Sequence, residues 1–95
     1  MTKSVQKIID KTYQPGFTYI EKVINSCRTH AQLGVASDWA YRIYRQFWNN
    51  TDDFSIGECL SIKKYLDRKI AEIREIVNRK DDELDVKFGY KNVED

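Results

Sequence analysis

A chain of 95 residues can build one hydrophobic core but not two, so we expect a single domain over residues 1–95. Its hydrophobic fraction of 41 % and charged fraction of 33 % are typical of a globular chain and exclude intrinsic disorder. The formal net charge of +1 excludes a strongly basic nucleic-acid binder, and we expect no nucleic-acid partner. The charge is uneven, because residues 81–95 carry six acids and two bases (−4), which leaves +5 on residues 1–80.

The first 27 residues predict two short helices separated by a break. Apolar residues recur at helical spacing on both sides of residues 14–16. We expect Pro15 and Gly16 to end the first helix, because proline disfavours a helical residue before it and glycine frees the turn. The two apolar stripes are Val5, Ile8, Ile9 and Tyr13 in the first helix, and Phe17, Ile20, Ile24 and Cys27 in the second.

A capping box predicts the start of a third helix. Thr29 would cap the helix and Gln32 would reach back to the backbone before it. Residues 49–53, Asn-Asn-Thr-Asp-Asp, are expected to form a loop after this helix. The apolar seam between these limits has spacings of three and four and consists of Leu33, Ala36, Ala40, Ile43 and Phe47.

A second capping box, Ser55 with Glu58, predicts the start of the longest helix, which would run to about Lys80. We expect the acids at 81–83 to stop it, because acids are unfavourable at the negative end of a helix dipole. The following residues alternate between apolar and polar, which indicates an extended acidic tail over residues 81–95. The apolar seam of this helix consists of Cys59, Ile62, Leu66, Ile70, Ile73 and Val77.

These elements predict an all-α fold. We expect a small helical bundle built on a long antiparallel hairpin of the third and fourth helices, with two short N-terminal helices. The helical body would cover residues 1–80. No apolar run reaches transmembrane length and the first residues lack a signal-peptide core, so we expect a cytoplasmic protein without a membrane partner. Cys27 and Cys59 would then be free thiols.

The residue pattern offers no catalytic or metal-binding motif. Cys27 lies three residues before His30, the only histidine, but no second base or orienting group follows at a recognisable spacing. One histidine and two cysteines do not make a standard structural zinc site without a carboxylate. Phosphate-binding loops and dinucleotide-binding glycine motifs are absent from the sequence. We therefore predict a protein that is not an enzyme and has no cofactor, no catalytic residues and no metal ligands.

The third helix is unusually rich in aromatic residues. Five of them fall within ten residues, which is more than a single apolar seam can bury. Either other helices cover this helix on more than one side, or part of its surface is an interface, where Trp, Tyr and Arg are concentrated. The second interpretation predicts a homo-oligomer. Its candidate interface residues are Trp39, Tyr44 and Trp48.

The start of the third helix is a candidate anion site. Arg28, Thr29 and His30 lie where free backbone N–H groups and the positive end of the helix dipole favour an anion. The alternative is an ordinary helix cap with an exposed arginine. A complete ligand site would add a second basic cluster and an aromatic stacking face. The candidates for these roles are Arg42 and Arg45 for the cluster, and Tyr13 or Tyr41 for the face.

Residues 33–40 read L-x-x-A-x-x-W-A and resemble a helix of the helical-hairpin domain in phage anti-CBASS and anti-Thoeris proteins. This resemblance implies a small helical oligomer that traps a cyclic nucleotide between subunits and so counteracts a host defence. Cys27-Arg28-Thr29, together with residues 66–73, is similar to Hha-type regulators, which dock on nucleoid proteins. Two functions follow: sequestration of a cyclic nucleotide or a host protein by a phage or mobile-element protein, or docking on a host transcription or nucleoid protein without a small ligand.

Overall fold

The computed structural model describes residues 3–89, and this part of the chain contains helices and no strands. The all-α class is therefore confirmed. The molecule is 50 Å long, close to the roughly 48 Å expected for its longest helix. None of the helices within residues 3–89 is both long and apolar enough to cross a membrane. The elements are α1 (Lys3–Ile8), a π turn (Ile9–Tyr13), α2 (Gln14–Ser26), α3 (His30–Asn50), a 3-10 turn (Thr51–Asp53) and α4 (Ile56–Lys87).

The prediction that Pro15 ends the first helix is wrong, because α1, the π turn and α2 form one continuous helical segment. Within the π turn, the backbone N–H of Gln14 donates to the carbonyl of Ile9, five residues back. Pro15 then occupies the first turn of α2, where a missing N–H costs little. The wider turn thus accommodates the proline, and the described chain has three long helical segments rather than four helices.

Gly16 allows a close approach between α2 and α3. A Cβ atom at this position would lie 2.9 Å from Cζ of Phe47, which is too close for an undisturbed contact. The Phe47 ring is also packed edge-on against Tyr13 and Phe17, with centroid distances of 5.0 and 5.6 Å. The glycine that was expected to loosen a turn therefore makes room for an aromatic ring.

Both predicted caps are present. The Ser55 hydroxyl accepts a hydrogen bond from the backbone N–H of Glu58, and the Glu58 carboxylate accepts one from the backbone N–H of Ser55. At the start of α3, Thr29 Oγ1 accepts from the backbone N–H of Gln32 at 3.1 Å. The Gln32 side chain accepts from the backbone N–H of Arg28 rather than from that of Thr29. The predicted loop at 49–53 is largely helical, because α3 continues to Asn50 and the 3-10 turn follows.

The acids at 81–83 do not stop α4, which continues to Lys87. Leu84 is 3 % exposed and belongs to the core, so burial of this side chain favours the extra turns. Asp85 also lies 2.7 Å from Nε2 of His30, and this contact connects the end of α4 to the start of α3. The predicted extended tail is therefore wrong for residues 81–87, and residues 90–95 lie outside the described part of the chain.

The core lies between the N-terminal segment, α3 and α4. Residues later in α3 contact residues earlier in α4. The pairs are Trp48 with Lys63, Tyr44 with Asp67, Tyr41 with Arg74 and His30 with Asp85. The fully buried residues come from every predicted seam. They include Ile9, Tyr13, Phe17, Ile20 and Ile24 of the N-terminal segment, Ala40 of α3, and Ile62, Leu66 and Ile73 of α4.

Candidate functional site

The structure places Tyr13, one of the two predicted stacking residues, in the core. Its side chain is 1 % exposed, and its ring lies edge-on against Phe47. Burial is the largest cause that raises the pKa of the Tyr13 phenol. In this chain the ring therefore lies in the core and presents no exposed face on which a base could stack.

The start of α3 faces carboxylates. His30 Nε2 lies 2.7 Å from Asp85 Oδ1 and 3.6 Å from Asp81 Oδ1. Arg28 is exposed, and Thr29 is occupied as the helix cap. An anion at the His30 side of this helix end would therefore meet two acids, which opposes the favourable effect of the helix dipole.

The second predicted cluster lies further along α3. Arg42 is twelve residues beyond His30, which corresponds to about 18 Å along a helix. The Tyr41 hydroxyl accepts a hydrogen bond from Arg74 Nε at 2.7 Å, and its ring lies beneath the same guanidinium group. Arg42 and Arg45 are exposed. The predicted ligand residues thus fall into three separate places within one chain rather than into one pocket.

Two of the three candidate interface residues lie against α4. The Tyr44 hydroxyl donates a hydrogen bond to Asp67 at 2.8 Å, and Lys63 Nζ lies 4.8 Å from the centre of the Trp48 ring. Burial, followed by the hydrogen bond and charge of Asp67, raises the pKa of Tyr44 to about 12. These rings therefore pack against charged side chains of their own chain.

Trp39, the third candidate, borders an apolar groove on the other side of α3. The groove lies between α2 and the first half of α3, is open to solvent, and has a volume of about 630 Å³. Tyr19 packs edge-on against Trp39 at 5.7 Å and is 59 % exposed, while Val35 is 68 % exposed. The side chains that line the groove are Val23, Ser26, Cys27, Ala31, Gln32, Val35, Ala36 and Trp39.

Cys27 is a buried side chain that lines this groove. Its thiol donates a hydrogen bond to the carbonyl of Val23 at 3.4 Å. Burial raises the pKa of Cys27, although the charge of Lys80 acts in the opposite direction. The thiol is therefore protonated near neutral pH, and it serves the groove as a small apolar group.

Comparison with protein families, with curated proteins and with solved structures finds no match for this chain. Its function is therefore argued from its own surfaces.

The sequence contains a signal for the groove outside the apolar seams. Ala31, Val35 and Trp39 recur every four residues, which places them on one face of α3. This face borders the buried seam that begins at Leu33, and Ala36 belongs to both. No comparable signal existed for the contact between His30 and Asp85, because 55 residues separate them.

Proposed function

We propose that this protein is a non-catalytic binding protein whose groove between α2 and α3 holds an acidic amphipathic helix of a partner protein. The observation that carries the proposal is the open apolar groove, with Val35 68 % exposed at its edge. Large exposed apolar surfaces with a polar border are typical of interaction sites. The adjacent Trp39 and Tyr19 are of the residue types that most often anchor protein interfaces.

The dimensions of the groove favour a helix. Ala31 and Trp39 are eight residues apart, so the apolar stretch along α3 is about 12 Å long. An amphipathic helix presents apolar side chains at positions i, i+3 or i+4 and i+7, which span about 10.5 Å. Two turns of such a helix therefore match the apolar length of the groove.

The charges around the groove favour acids on the partner. Arg28 lies three residues before Ala31, Arg42 lies three residues after Trp39, and both arginines are exposed. Asp38 is the acid beside Trp39 in the sequence. Arginines near both ends of an apolar stretch favour a helix that carries carboxylates on either side of its apolar face.

The same charges disfavour a second copy of the chain in the groove. If two α3 helices packed antiparallel about Val35, Arg28 of one chain would face Arg42 of the other, since both are seven residues from Val35. Like charges that face each other across an interface oppose association. The small-ligand hypothesis requires an oligomer that brings its predicted ligand residues together, because one chain does not, whereas a protein partner can dock on a single chain. The protein-docking hypothesis therefore agrees better with the geometry.

Site-specific photo-crosslinking tests this proposal in cells. A benzoyl-phenylalanine residue would replace Val35 in one variant and Leu60 in the control. Leu60 is also exposed, at 59 %, but lies on α4 and does not line the groove. We expect the Val35 variant to crosslink a defined partner, and mass spectrometry of the crosslinked peptide to identify an acidic amphipathic helix.

The charge requirement has its own control. The double variant Arg28→Glu with Arg42→Glu should lose the crosslink at Val35, whereas Arg79→Glu, an exposed site on α4, should retain it. A crosslinked product of twice the chain's mass that contains only this chain would identify a second copy as the occupant and contradict the proposal. Equal crosslinking from the Val35 and Leu60 variants would also contradict it.

A further inference from the structure

The only histidine of the sequence lies beside two carboxylates where the end of α4 meets the start of α3. Oδ1 of Asp85 is 2.7 Å and Oδ1 of Asp81 is 3.6 Å from Nε2 of His30. One ligand atom from each residue lies within 4.8 Å of the other two. The side chains are 33 % (His30), 50 % (Asp81) and 23 % (Asp85) exposed, so water reaches the cluster.

The arrangement concentrates negative charge where the helix itself disfavours it. Asp81 and Asp85 are four residues apart on α4, so they share one face, and like charges at this spacing are destabilising. They also lie in the last two turns, near the negative end of the helix dipole. The carboxylates of Asp81 and Asp85 together offer two negative charges, which match the charge of a divalent cation.

We propose that His30, Asp81 and Asp85 bind one divalent transition-metal ion, of the class represented by Zn²⁺. One imidazole nitrogen and two carboxylate oxygens form a ligand set that this class accepts. Tetrahedral ligands about 2.0–2.2 Å from zinc lie about 3.3–3.6 Å from one another. The Asp81 contact already has this length, and the Asp85 contact must open by about 0.6 Å.

The bound ion would join two distant parts of the chain. His30 is the first residue of α3, and both aspartates lie near the end of α4, so coordination would fix that end of the bundle. The Phe88 ring lies 6.0 Å from the His30 ring and covers one side of the cluster. The fourth coordination position would remain open to water. The site is separate from the groove, so either proposal can fail without the other.

Isothermal titration of the whole protein with Zn²⁺, after removal of metals with a chelator, tests this inference. We expect one ion per chain and a higher melting temperature with zinc than with chelator. His30→Ala and Asp85→Asn should each weaken binding at least about tenfold, since even the loss of an outer-shell partner costs 10- to 100-fold. Glu75→Gln, an exposed acid on α4, and Cys59→Ser should leave the affinity unchanged.

Two results would overturn the inference: no saturable binding by the wild-type protein, or binding that survives both His30→Ala and Asp85→Asn. In the first case, the cluster would be only a structural contact between the His30 imidazole and the two acids. Helix content measured by circular dichroism checks that each variant is folded. If His30→Ala is not folded, the more exposed Asp81→Asn decides the question, together with a zinc-dependent shift of the His30 ring signals in the NMR spectrum of the wild type.

Discussion

The two partly exposed sides of α3 are covered very differently. On the side that faces α4, aromatic side chains meet polar or charged groups of that helix: Tyr41 meets Arg74, Tyr44 meets Asp67, and Trp48 meets Lys63. On the side that borders α2, the apolar groove is open. The principal aromatic contact on this side of α3 is the edge-on packing of Trp39 with Tyr19.

This difference resolves the excess of aromatic residues on α3. Four of the five rings are accommodated within the chain, because Phe47 packs against Gly16 and three others lie against α4. Aliphatic stems and guanidinium or ammonium groups can cover aromatic faces at little cost in desolvation. Trp39 is the ring that borders open apolar surface. A high aromatic content therefore indicated internal packing for most of the helix and a candidate interface at one position.

The largest expected effect comes from comparing alanine substitutions at two glycines. Gly16 on α2 faces the Phe47 ring of α3, whereas Gly34 lies on the exposed side of α3. Gly16→Ala places a Cβ 2.9 Å from the Phe47 ring, and such overpacking costs about 1–3 kcal/mol. Gly34→Ala adds a Cβ with no atom within 4 Å, and alanine is favoured over glycine in a helix by about 1 kcal/mol. Both glycines lie in helices and gain this preference, so we expect urea denaturation to show a free energy of unfolding about 1–3 kcal/mol lower for Gly16→Ala than for Gly34→Ala. Equal effects would mean that Phe47 does not occupy the space above Gly16.

Gly16 also shows how far the fold could be predicted from sequence. The apolar stripes and capping boxes identified the helical segments, because they depend on neighbours three and four residues away. The breaks predicted at Pro15 and at residues 81–83 were wrong because tertiary packing overrode local preference. Burial of Leu84 extended α4, and the π turn absorbed the proline. Neither effect can be read from local spacing.

The candidate sites were harder to predict for the same reason. The groove depends on which face of α3 remains uncovered, and the sequence alone does not give the positions of its neighbours. The separation of Tyr13 from the predicted basic residues follows from the burial of its ring between helices. The contact between His30 and Asp85 joins residues 55 positions apart. The side-chain types at these positions can be read from the sequence, but their contacts cannot.

The α4-facing side of α3 can be tested through the Tyr44 phenol. The pKa of Tyr44 is raised to about 12, first by burial and then by Asp67, against 10.0 for an unperturbed tyrosine. Because the folded-state value is the higher one, this contribution to stability is complete below pH 10 and is lost as the pH rises through 12. The ultraviolet absorbance difference between wild type and Tyr44→Phe should therefore titrate near pH 12.

Tyr44→Phe also removes the hydrogen bond to Asp67, which should lower the free energy of unfolding by about 0.5–1.5 kcal/mol at neutral pH. The matched variant is Asp67→Asn. It removes the acid's charge, so the phenol should titrate at a lower pH than in the wild type, but still above 10 because burial remains. A phenol that titrates at 10 in the wild-type protein would show that α4 does not cover this side of α3.

The smallest expected change lies on the groove side, where Val35→Asp should alter the free energy of unfolding by no more than about 0.5 kcal/mol. Val35 is 68 % exposed, so an aspartate remains solvated there. The same substitution at Val5, which is 2 % exposed, buries a carboxylate and should cost at least about 2 kcal/mol.

A large loss of stability in Val35→Asp would mean that something covers the groove in the free protein. If that loss grew with protein concentration, the covering surface would be a second copy; if it did not, it would be part of the same chain. A small loss, combined with a lost crosslink to the partner, would show that the groove is a binding surface that the fold itself does not need.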